Sequence, residues 1–312
     1  MDDPRVIALR IPNLSPEGRN QVYVLKSDPI TIIDTGIATQ KAFDAIVAGL
    51  AEHGLSVSDV KRVLLTHKHI DHIGNAWRFH RESEAEILIH EDERHAVTDV
   101  DPEGGRHAEL VRQRAADWSL PPEEVPQPNP ARRGFWQIES VEAIGIGDGQ
   151  RIATSDGELE VIHTPGHTMG SVCFRLDRLL FSGDHVLPTI SPNVGGGDMR
   201  NRNLLQHFLN SLERIVAMAG DVDWVLPGHG APFQDLAARC DALVAHHTQR
   251  LGRVVEILEG GGEHTVYEVA CKLFGDMEDF HVVLGCAEAA SHLEHLEHEG
   301  RVVSQERTFA LT

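Results

Sequence analysis

The sequence predicts a mixed α/β fold of the α+β kind, and three observations support this prediction. The first third of the chain alternates short β-branched runs with helical patterns. Residues 141–181 carry several strand signals separated by short turns, which is typical of an antiparallel meander. The tail has the order helix, helix, hairpin. At 312 residues the chain has room for one large domain carrying a small one.

The strand and helix signals of the first third follow one another closely. The predicted strands are 6–11, 21–26, 30–34, 61–66 and 86–90. The predicted helices are 39–53, 74–80 and 91–98, and Thr39 is the expected N-cap of the first. The fourth strand ends directly before a run of histidines, so these histidines are expected on a loop that follows a strand.

The pattern changes over residues 99–134, where a charged helical segment at 107–118 precedes a proline-rich stretch. We interpret this segment as an insertion or lid. Strands then return, followed by a helix, a further strand and a long helix. The predicted ranges are 141–144, 150–153, 159–163, 171–176 and 179–181 for the strands, 201–219 for the helix, 223–226 for the strand and 236–259 for the long helix.

Three consecutive glycines at 260–262 mark the predicted domain boundary. We therefore predict a main domain over 1–235, a connecting helix over 236–259 and a small domain over 260–312. In the last of these, Thr265 and Glu268 form a capping box that opens a helix. A second helix at 279–299 and a β-wing from 301–303 and 308–311 complete it.

Composition and charge exclude several classes of protein. The start of the chain lacks a signal-peptide pattern and no stretch approaches 18 apolar residues, which predicts a cytoplasmic protein without membrane association. The 48 acidic and 28 basic residues give a net charge of −20, which disfavours nucleic acid as a partner. The four cysteines are scattered and are expected to be reduced thiols.

The densest group of candidate metal ligands follows the fourth strand. His67 and His69 are two residues apart and can converge on one ion from an extended segment. Asp71 and His72 lie beyond the following turn and can face a second ion. One loop could therefore serve two metals.

Three more strand ends offer a histidine or an aspartate. His167 follows a Pro-Gly turn after one strand, Asp184 follows a glycine at the end of another, and His229 follows a second Pro-Gly turn. Together with the histidine loop, four strand ends present side chains of the types that bind divalent metals.

The ordered motifs HxHxDH, PGHT, GD and PGHG resemble those of the metallo-β-lactamase fold superfamily of metallohydrolases. The resemblance covers about residues 30–230 and implies a four-layer αββα sandwich with the metals at one edge between two sheets. It implies a first metal on His67, His69 and His167, a second on Asp71, His72 and His229, and Asp184 bridging both. Two divalent ions are expected, zinc first, with iron or manganese as alternatives.

From a site with two metal ions we expect direct hydrolysis by a hydroxide that bridges the ions. Asp71 is expected to orient this hydroxide and to accept a proton from it. The ligand set resembles that of the hydroxyacylglutathione hydrolase (glyoxalase II) branch, of lactonases and of metal-dependent ribonucleases. It differs from the cysteine-containing set of many β-lactamases. We expect a small carbonyl substrate, an acyl thioester or ester first, with lactones and β-lactams less favoured.

The tail resembles the winged-helix-like domain of some lactamase-like hydrolases, including endoribonucleases, so a phosphodiesterase is the alternative function. Residues 264–312 carry nine acidic and three basic residues, a net charge of −6, which is the reverse of a nucleic-acid-binding surface. A packing role for the tail, or a homodimer interface, fits this charge better.

Other histidines have structural interpretations. His163 is expected beside the ligands or in the core, and His185 is expected as a pocket wall. The remaining expectations are helix-face packing for His246, His247 and Arg250, a solvated helix face for His292, His295 and His298, and an active-site loop for 191–197.

Overall fold

The computed structural model describes residues 3–13, 18–101, 104–127, 138–196 and 198–312. Two β-sheets form its centre. None of the helices in these ranges is both long and apolar enough to cross a membrane.

The first sheet has six strands that lie in chain order. They are β1 (Val6–Ile11), β2 (Asn20–Leu25), β3 (Thr31–Ile33), β4 (Arg62–Leu64), β5 (Glu86–His90) and β6 (Ile144–Ile146). β1, β2 and β3 are antiparallel neighbours, whereas β3 to β6 run parallel. Because parallel strands need crossover connections, helices separate β3, β4 and β5 along the chain.

Five helices follow β3 and precede β6 in the described part of the chain, and the last of them packs in the core of the second sheet instead of the first. They are α1 (Gln40–Glu52), α2 (Ile70–Ile73), α3 (Ala76–Ser83), α4 (His95–Thr98) and α5 (Gly105–Asp117). The hydroxyl of Thr39 accepts a hydrogen bond from the Ala42 amide at 3.3 Å and caps α1 as the sequence predicts. Phe43 of α1 and Phe79 of α3 meet edge to face in the core over this sheet.

The second sheet contains the predicted meander. Its strands are β7 (Arg151–Thr154), β8 (Gly157–His163), β9 (Val172–Leu176), β10 (Leu179–Gly183) and β11 (Trp224–Pro227). β7 to β10 are antiparallel neighbours in chain order, and β11 pairs parallel to β10. The helix α6 (Leu204–Val216) connects β10 to β11.

The two sheets pack face to face through a shared apolar core. Tyr23 of the first sheet and Phe181 of the second lie with their ring centroids 5.4 Å apart. On the outer faces, α1 and α3 cover the first sheet, and α6 covers the second. The order of layers is therefore helix, sheet, sheet, helix, which confirms the predicted αββα sandwich.

The last quarter of the chain has the predicted order of elements, with one additional short strand. It contains α7 (Leu236–Glu259), β12 (His264–Thr265), α8 (Val266–Phe274), α9 (Phe280–His298), β13 (Val302–Gln305) and β14 (Thr308–Leu311). Thr265 and Glu268 form the expected capping box. The three strands form a sheet in the order β12, β14, β13.

Several bounds differ from the predicted ranges by one to three residues, and of the helix expected at 91–98 only His95–Thr98 is α-helical, after a 3₁₀ turn at Glu91–Glu93. The strand expected at 141–144 is Ile144–Ile146, because pairing with Leu88 to His90 of β5 sets its register. The helix expected at 201–219 is shorter and spans Leu204–Val216.

The prediction of a solvated face for three histidines of α9 was wrong for two of them. His292 and His295 are buried, and His298 alone of the three is exposed. The reason is tertiary packing, since α9 lies against α6, α7, α8 and β13. A helical spacing of histidines cannot show which face a neighbouring helix will cover.

Candidate metal centre

The seven candidate ligands lie together at one edge of the sandwich, each after the end of a strand. The loop with His67 and His69 follows β4 of the first sheet, and α2 carries Asp71 and His72. His167, Asp184 and His229 follow β8, β10 and β11 of the second sheet. The site is therefore assembled from both sheets.

The first group of three ring nitrogens is compact. Nδ1 of His69 lies 3.0 Å from Nε2 of His67 and 3.0 Å from Nε2 of His167. Oδ2 of Asp184 lies 4.0 Å from Nε2 of His67 and 3.8 Å from Nε2 of His167. These three histidines can hold one cation.

The second group shares the same aspartate. Oδ2 of Asp71 lies 3.3 Å from Nε2 of His229 and 3.8 Å from Nε2 of His72. Oδ2 of Asp184 lies 3.4 Å from Nε2 of His72 and 3.5 Å from Nε2 of His229. Asp184 thus stands between the two groups, where one carboxylate can serve both.

The residues present fit divalent metal. Tetrahedral coordination with bonds of about 2.0–2.2 Å separates ligand atoms by about 3.3–3.6 Å, which agrees with the spacing here. Neither Nε2 of His72 nor Oδ1 of Asp184 forms a hydrogen bond with the part of the chain that the structure describes. Buried polar atoms without partners are costly, and a bound cation would satisfy the imidazole lone pair.

Hydrogen bonds on the far side of the rings fix which nitrogen can face a metal. Nδ1 of His72 donates to Oδ2 of Asp34 at 2.8 Å, and Nδ1 of His167 donates to the Asn193 carbonyl oxygen at 2.8 Å. Each bond requires the proton on Nδ1 and leaves the lone pair on Nε2. Both rings are therefore prepared as Nε2 ligands.

Thr66 extends this arrangement to His67. Its hydroxyl donates to Asp34 at 2.9 Å and its backbone amide donates to the same carboxylate at 2.9 Å. Because the hydroxyl proton is used, Oγ1 of Thr66 accepts from Nδ1 of His67 at 3.0 Å. His67 then presents the lone pair of Nε2 to the first group.

Asp34 was missed by the sequence analysis. It follows β3, has a positive φ of 59° and is buried. An aspartate followed by Thr35 and Gly36 at a strand end was the available signal.

Glu93 was also missed, and it joins the two loops that carry the first group. Its carboxylate accepts from the Lys68 amide at 2.7 Å and from the Gly170 amide at 3.1 Å. Burial raises the pKa of Glu93, and Lys68 and the Gly170 amide oppose that effect. Three adjacent acidic residues at 91–93 gave no indication of which one is buried.

Asp71 is held by two amide side chains. Nδ2 of Asn13 and Nδ2 of Asn20 donate to its Oδ2 at 2.9 and 3.2 Å. Burial opposes ionisation of Asp71, but His72 and His229 keep its pKa well below the usual range. Asp71 is therefore a carboxylate at neutral pH.

The two groups differ in electrostatics. Burial, together with the imidazole of His167, lowers the pKa of His69 to about 3. Burial also acts to lower the pKa of His72, but three carboxylates, led by Asp184, raise it well above its usual range. The second group therefore stabilises positive charge, which is what a divalent cation brings.

Two neighbouring histidines lie outside the cluster. Nε2 of His163 donates to the Met169 carbonyl oxygen at 2.7 Å, and its ring stacks on His90, which agrees with a role beside the ligands. His185 was expected to line the pocket, and this was wrong. Its ring is buried against Phe208, with centroids 5.2 Å apart.

A cleft of about 1510 Å³ opens beside the cluster. Five of the candidate ligands line it, and so do apolar side chains of the last quarter of the chain. The apolar lining comprises Leu243, Phe274, Met277, Phe280 and Leu284. The loop at 191–196 also lines the cleft, as expected, and its Asn193 positions His167.

The predicted insertion contributes to the same cleft. Gly104 and His107, at the start of α5, are among the lining residues. Residues 102–103 and 128–134 of this segment lie outside the described residues.

This chain is similar in sequence and in fold to known proteins. A model of the metallo-beta-lactamase superfamily matches residues 14–229. The "Probable metallo-hydrolase YqjP" of Bacillus subtilis (strain 168) is 27% identical over 319 residues, covering 96% of this chain and 94% of that protein. The human "Acyl-coenzyme A thioesterase MBLAC2" is 28% identical over 248 residues, covering 75% of this chain and 80% of that protein.

A solved structure matches nearly the whole chain. The crystal structure of a metallo-beta-lactamase family protein, TTHA1429 from Thermus thermophilus, superposes with a TM-score of 0.85 and 28% identity. The match covers 99% of each chain, so it includes the helices and small sheet of the last quarter.

Proposed function

The chain belongs to the metallo-beta-lactamase superfamily, and from that premise we propose that it hydrolyses acyl thioesters at a centre of two divalent metal ions. It is a metal-dependent hydrolase. The observation that carries the thioester proposal is the apolar lining that the last quarter of the chain contributes to the same cleft as the candidate ligands.

His67, His69 and His167 would hold the first ion, and Asp71, His72 and His229 the second, with Asp184 shared. Zinc suits these imidazole and carboxylate ligands, and iron or manganese would also be accepted. When bound, such ions lower the pKa of water and polarise a substrate carbonyl, which supplies a nucleophile at neutral pH.

Asp71 is the proposed catalytic residue of this chain. It lines the cleft, and because it is ionised at neutral pH its carboxylate has oxygen lone pairs that can orient water and take up its proton. Asn13 and Asn20 both hold Oδ2, so the position of the carboxylate is fixed before substrate binds. A thiolate leaving group needs little protonation because thiols ionise at about pH 8.5.

The volume and lining of the cleft favour a thioester whose acyl group is larger and more apolar than the small carbonyl substrate expected from the sequence. Pockets for drug-sized ligands measure about 300–1,000 Å³, and this cleft is larger at about 1510 Å³. Five large apolar side chains line it, so an acyl chain packed against them would be removed from water with a gain of about 25 cal/mol per Å² of apolar surface. The name of the human relative agrees with this substrate class.

The test is hydrolysis of two substrates by zinc-loaded protein, with a chelated sample as the blank. One is a long-chain acyl thioester and the other an activated phosphodiester. We expect turnover of the thioester alone, abolished by chelation and restored by zinc. Turnover of the phosphodiester alone would overturn the proposal and would make RNA the next substrate to test.

The matched variant for this test is Asp71→Asn, which keeps the size of the side chain and removes its charge. We expect its kcat on the thioester to fall by about 100-fold or more, because general-base contributions are about 10²–10⁴-fold. Asp156→Asn, in the turn between β7 and β8, is the control.

A further inference from the structure

A chain of hydrogen bonds runs from the cleft wall into the C-terminal helices, apart from the metal centre. Oγ of Ser191, which lines the cleft, lies 3.2 Å from Nε2 of His247 on α7. Nδ1 of His247 lies 3.2 Å from Nε2 of His292 on α9. Nδ1 of His292 lies 2.7 Å from the carbonyl oxygen of Glu288, where the chain of bonds ends.

The terminal carbonyl fixes the direction of every bond. A carbonyl oxygen only accepts, so Nδ1 of His292 carries a proton and Nε2 of that neutral ring is an acceptor. His247 therefore donates from Nδ1 and accepts at Nε2. The hydroxyl of Ser191 must then donate to His247, since its other acceptor, the Pro192 carbonyl oxygen, is more distant at 3.4 Å.

Both rings are neutral, as this direction requires. Burial, with the neighbouring imidazole, lowers the pKa of His247 to about 2. Burial lowers the pKa of His292 to about 3, although its bond to the Glu288 carbonyl acts in the opposite direction. Neither ring carries a proton on both nitrogens at neutral pH.

A third metal site is the alternative interpretation, since His247, His292 and Glu288 bring possible ligand atoms together. The carboxylate of Glu288 is already engaged on both oxygens, by Arg250 at 2.7 Å and by the Val194 amide at 2.9 Å. The guanidinium of Arg250 would also repel a second cation. At the metal centre, in contrast, Oδ1 of Asp184 has no partner among the described residues.

We propose that Ser191 is a specificity residue whose oxygen accepts a hydrogen bond from an amide N–H on the thiol carrier of the substrate. Ser191 lines the cleft and its proton is committed to His247, so towards a substrate its oxygen can act only as an acceptor. A simple thioester group contains no donor, so the complementary donor must lie elsewhere in the substrate. Carriers of the acylated-cysteamine type place an amide two carbons from the sulfur.

The loop that carries Ser191 also contacts a candidate metal ligand. Ser191 lies two residues before Asn193, whose carbonyl positions the ligand His167, so one loop serves both the metal centre and the carrier. This inference rests on the proposed thioesterase function. It adds a requirement on the carrier, where the proposed function concerns the acyl group.

The experiment compares two thioesters with the same acyl group, one of N-acetylcysteamine and one of 2-mercaptoethyl acetate, in which an ester oxygen replaces the amide N–H. We expect the zinc-loaded protein to prefer the amide by about 3-fold to 10-fold in kcat/KM, the effect of about one hydrogen bond. Ser191→Ala should bring this ratio close to 1. Thr189→Ala, which removes another hydroxyl from the cleft wall, should leave the ratio unchanged.

The outcomes separate the two proposals. A preference that persists in Ser191→Ala, or no preference in the unaltered protein, overturns the role of Ser191 while thioester hydrolysis stands. Hydrolysis of neither thioester, with turnover of a phosphodiester, overturns the proposed function and this inference with it.

A second readout is independent of metal and activity. Nitrogen-15 NMR of the metal-free protein should show the Nδ1–H tautomer for both His247 and His292, assigned with His247→Gln and His292→Gln. An Nε2–H tautomer at His247 would reverse the Ser191 bond and contradict the proposal.

Discussion

Among single residues, Asp34 supports the metal centre through its hydrogen bond to His72. Both oxygens of Asp34 accept, one from Nδ1 of His72 and the other from the Thr66 amide, so an asparagine with one acceptor oxygen must lose one of these bonds and disturb the ligand loop. We expect Asp34→Asn to weaken zinc binding by about 10-fold to 100-fold, measured by competition with a chromophoric chelator.

Asp177→Asn is a close control for this change. Asp177 has a similar positive φ, 52° against 59°, so asparagine meets the same backbone requirement at both positions. Its side chain is exposed and pairs with Arg5. Equal zinc affinities of the two variants would show that Asp34 does not prepare His72.

Gly228 is a second residue whose replacement should weaken zinc binding. A Cβ at this position would overlap Oδ1 of Asp184 and would lie 2.7 Å from Cε1 of His72. We therefore expect Gly228→Ala to displace the shared carboxylate and to lower zinc affinity by about 10-fold or more. Gly220→Ala, where a Cβ meets open space, should bind zinc normally. Isothermal titration calorimetry on both variants tests this, and normal binding by Gly228→Ala would contradict it.

Local sequence motifs indicated which seven residues lie together at the edge of the sandwich, but they did not indicate the residues that hold those seven in place. Four of the seven lie within His67 to His72, and the others follow short Pro-Gly or Gly motifs, so local spacing was informative. Asp34 contacts the ring of His72, 38 positions away in the sequence, and Glu93 contacts the amide of Gly170, 77 positions away. Contacts at such separations depend on how the sheets pack, which no local pattern encodes.

At the scale of elements, we expect the stability of the packing between α9 and α7 to depend on pH, because the buried ring of His292 lies between them. The pKa of His292 is lowered by burial to about 3, whereas an unfolded histidine titrates near its ordinary value of about 6.5. Between these values the unfolded state binds more protons, so the free energy of unfolding falls as pH falls through this window. A single such group contributes about 1 kcal/mol per pH unit.

We expect His292→Gln to remove this contribution. Urea unfolding of metal-free protein at pH 6.5 and 5.5 should show a smaller loss of stability in the variant, by about 1 kcal/mol. His298→Gln, at an exposed position of the same helix, is the control. A pH dependence that is identical in His292→Gln and the unaltered protein would contradict the burial of this ring as a neutral group.

Elements with strong local signals were predicted well. The caps at Thr39 and Thr265 set the starts of α1 and α8, and the long helix was predicted with its observed bounds, Leu236–Glu259. β6 was displaced because its place depends on parallel pairing with β5, far away in sequence. The burial of His292 and His295 on α9 was also not predicted, because it depends on helices that are distant in the sequence.

At the scale of the whole molecule, one apolar cluster spans the predicted boundary at 260–262. It joins Leu180 and Val225 of the second sheet, through Phe208 of α6 and Val254 of α7, to Leu293 of α9. A continuous core favours cooperative unfolding, whereas separate cores would unfold independently.

We therefore expect the metal-free protein to unfold in one urea transition, with coincident midpoints by tryptophan fluorescence and far-ultraviolet circular dichroism. Zinc should move this transition to higher urea, because binding to the folded state alone stabilises it. An early, separate transition of the last quarter of the chain would instead support an independent small domain over 260–312.

The proposed centre consists of two ions held by seven side chains that both sheets contribute. The most direct test is the zinc content of metal-free protein after equilibration with zinc and removal of the excess, measured by inductively coupled plasma mass spectrometry. We expect two zinc ions per chain in the unaltered protein and at most one in Asp184→Ala. One ion or none in the unaltered protein, or two in the variant, would contradict the proposed centre.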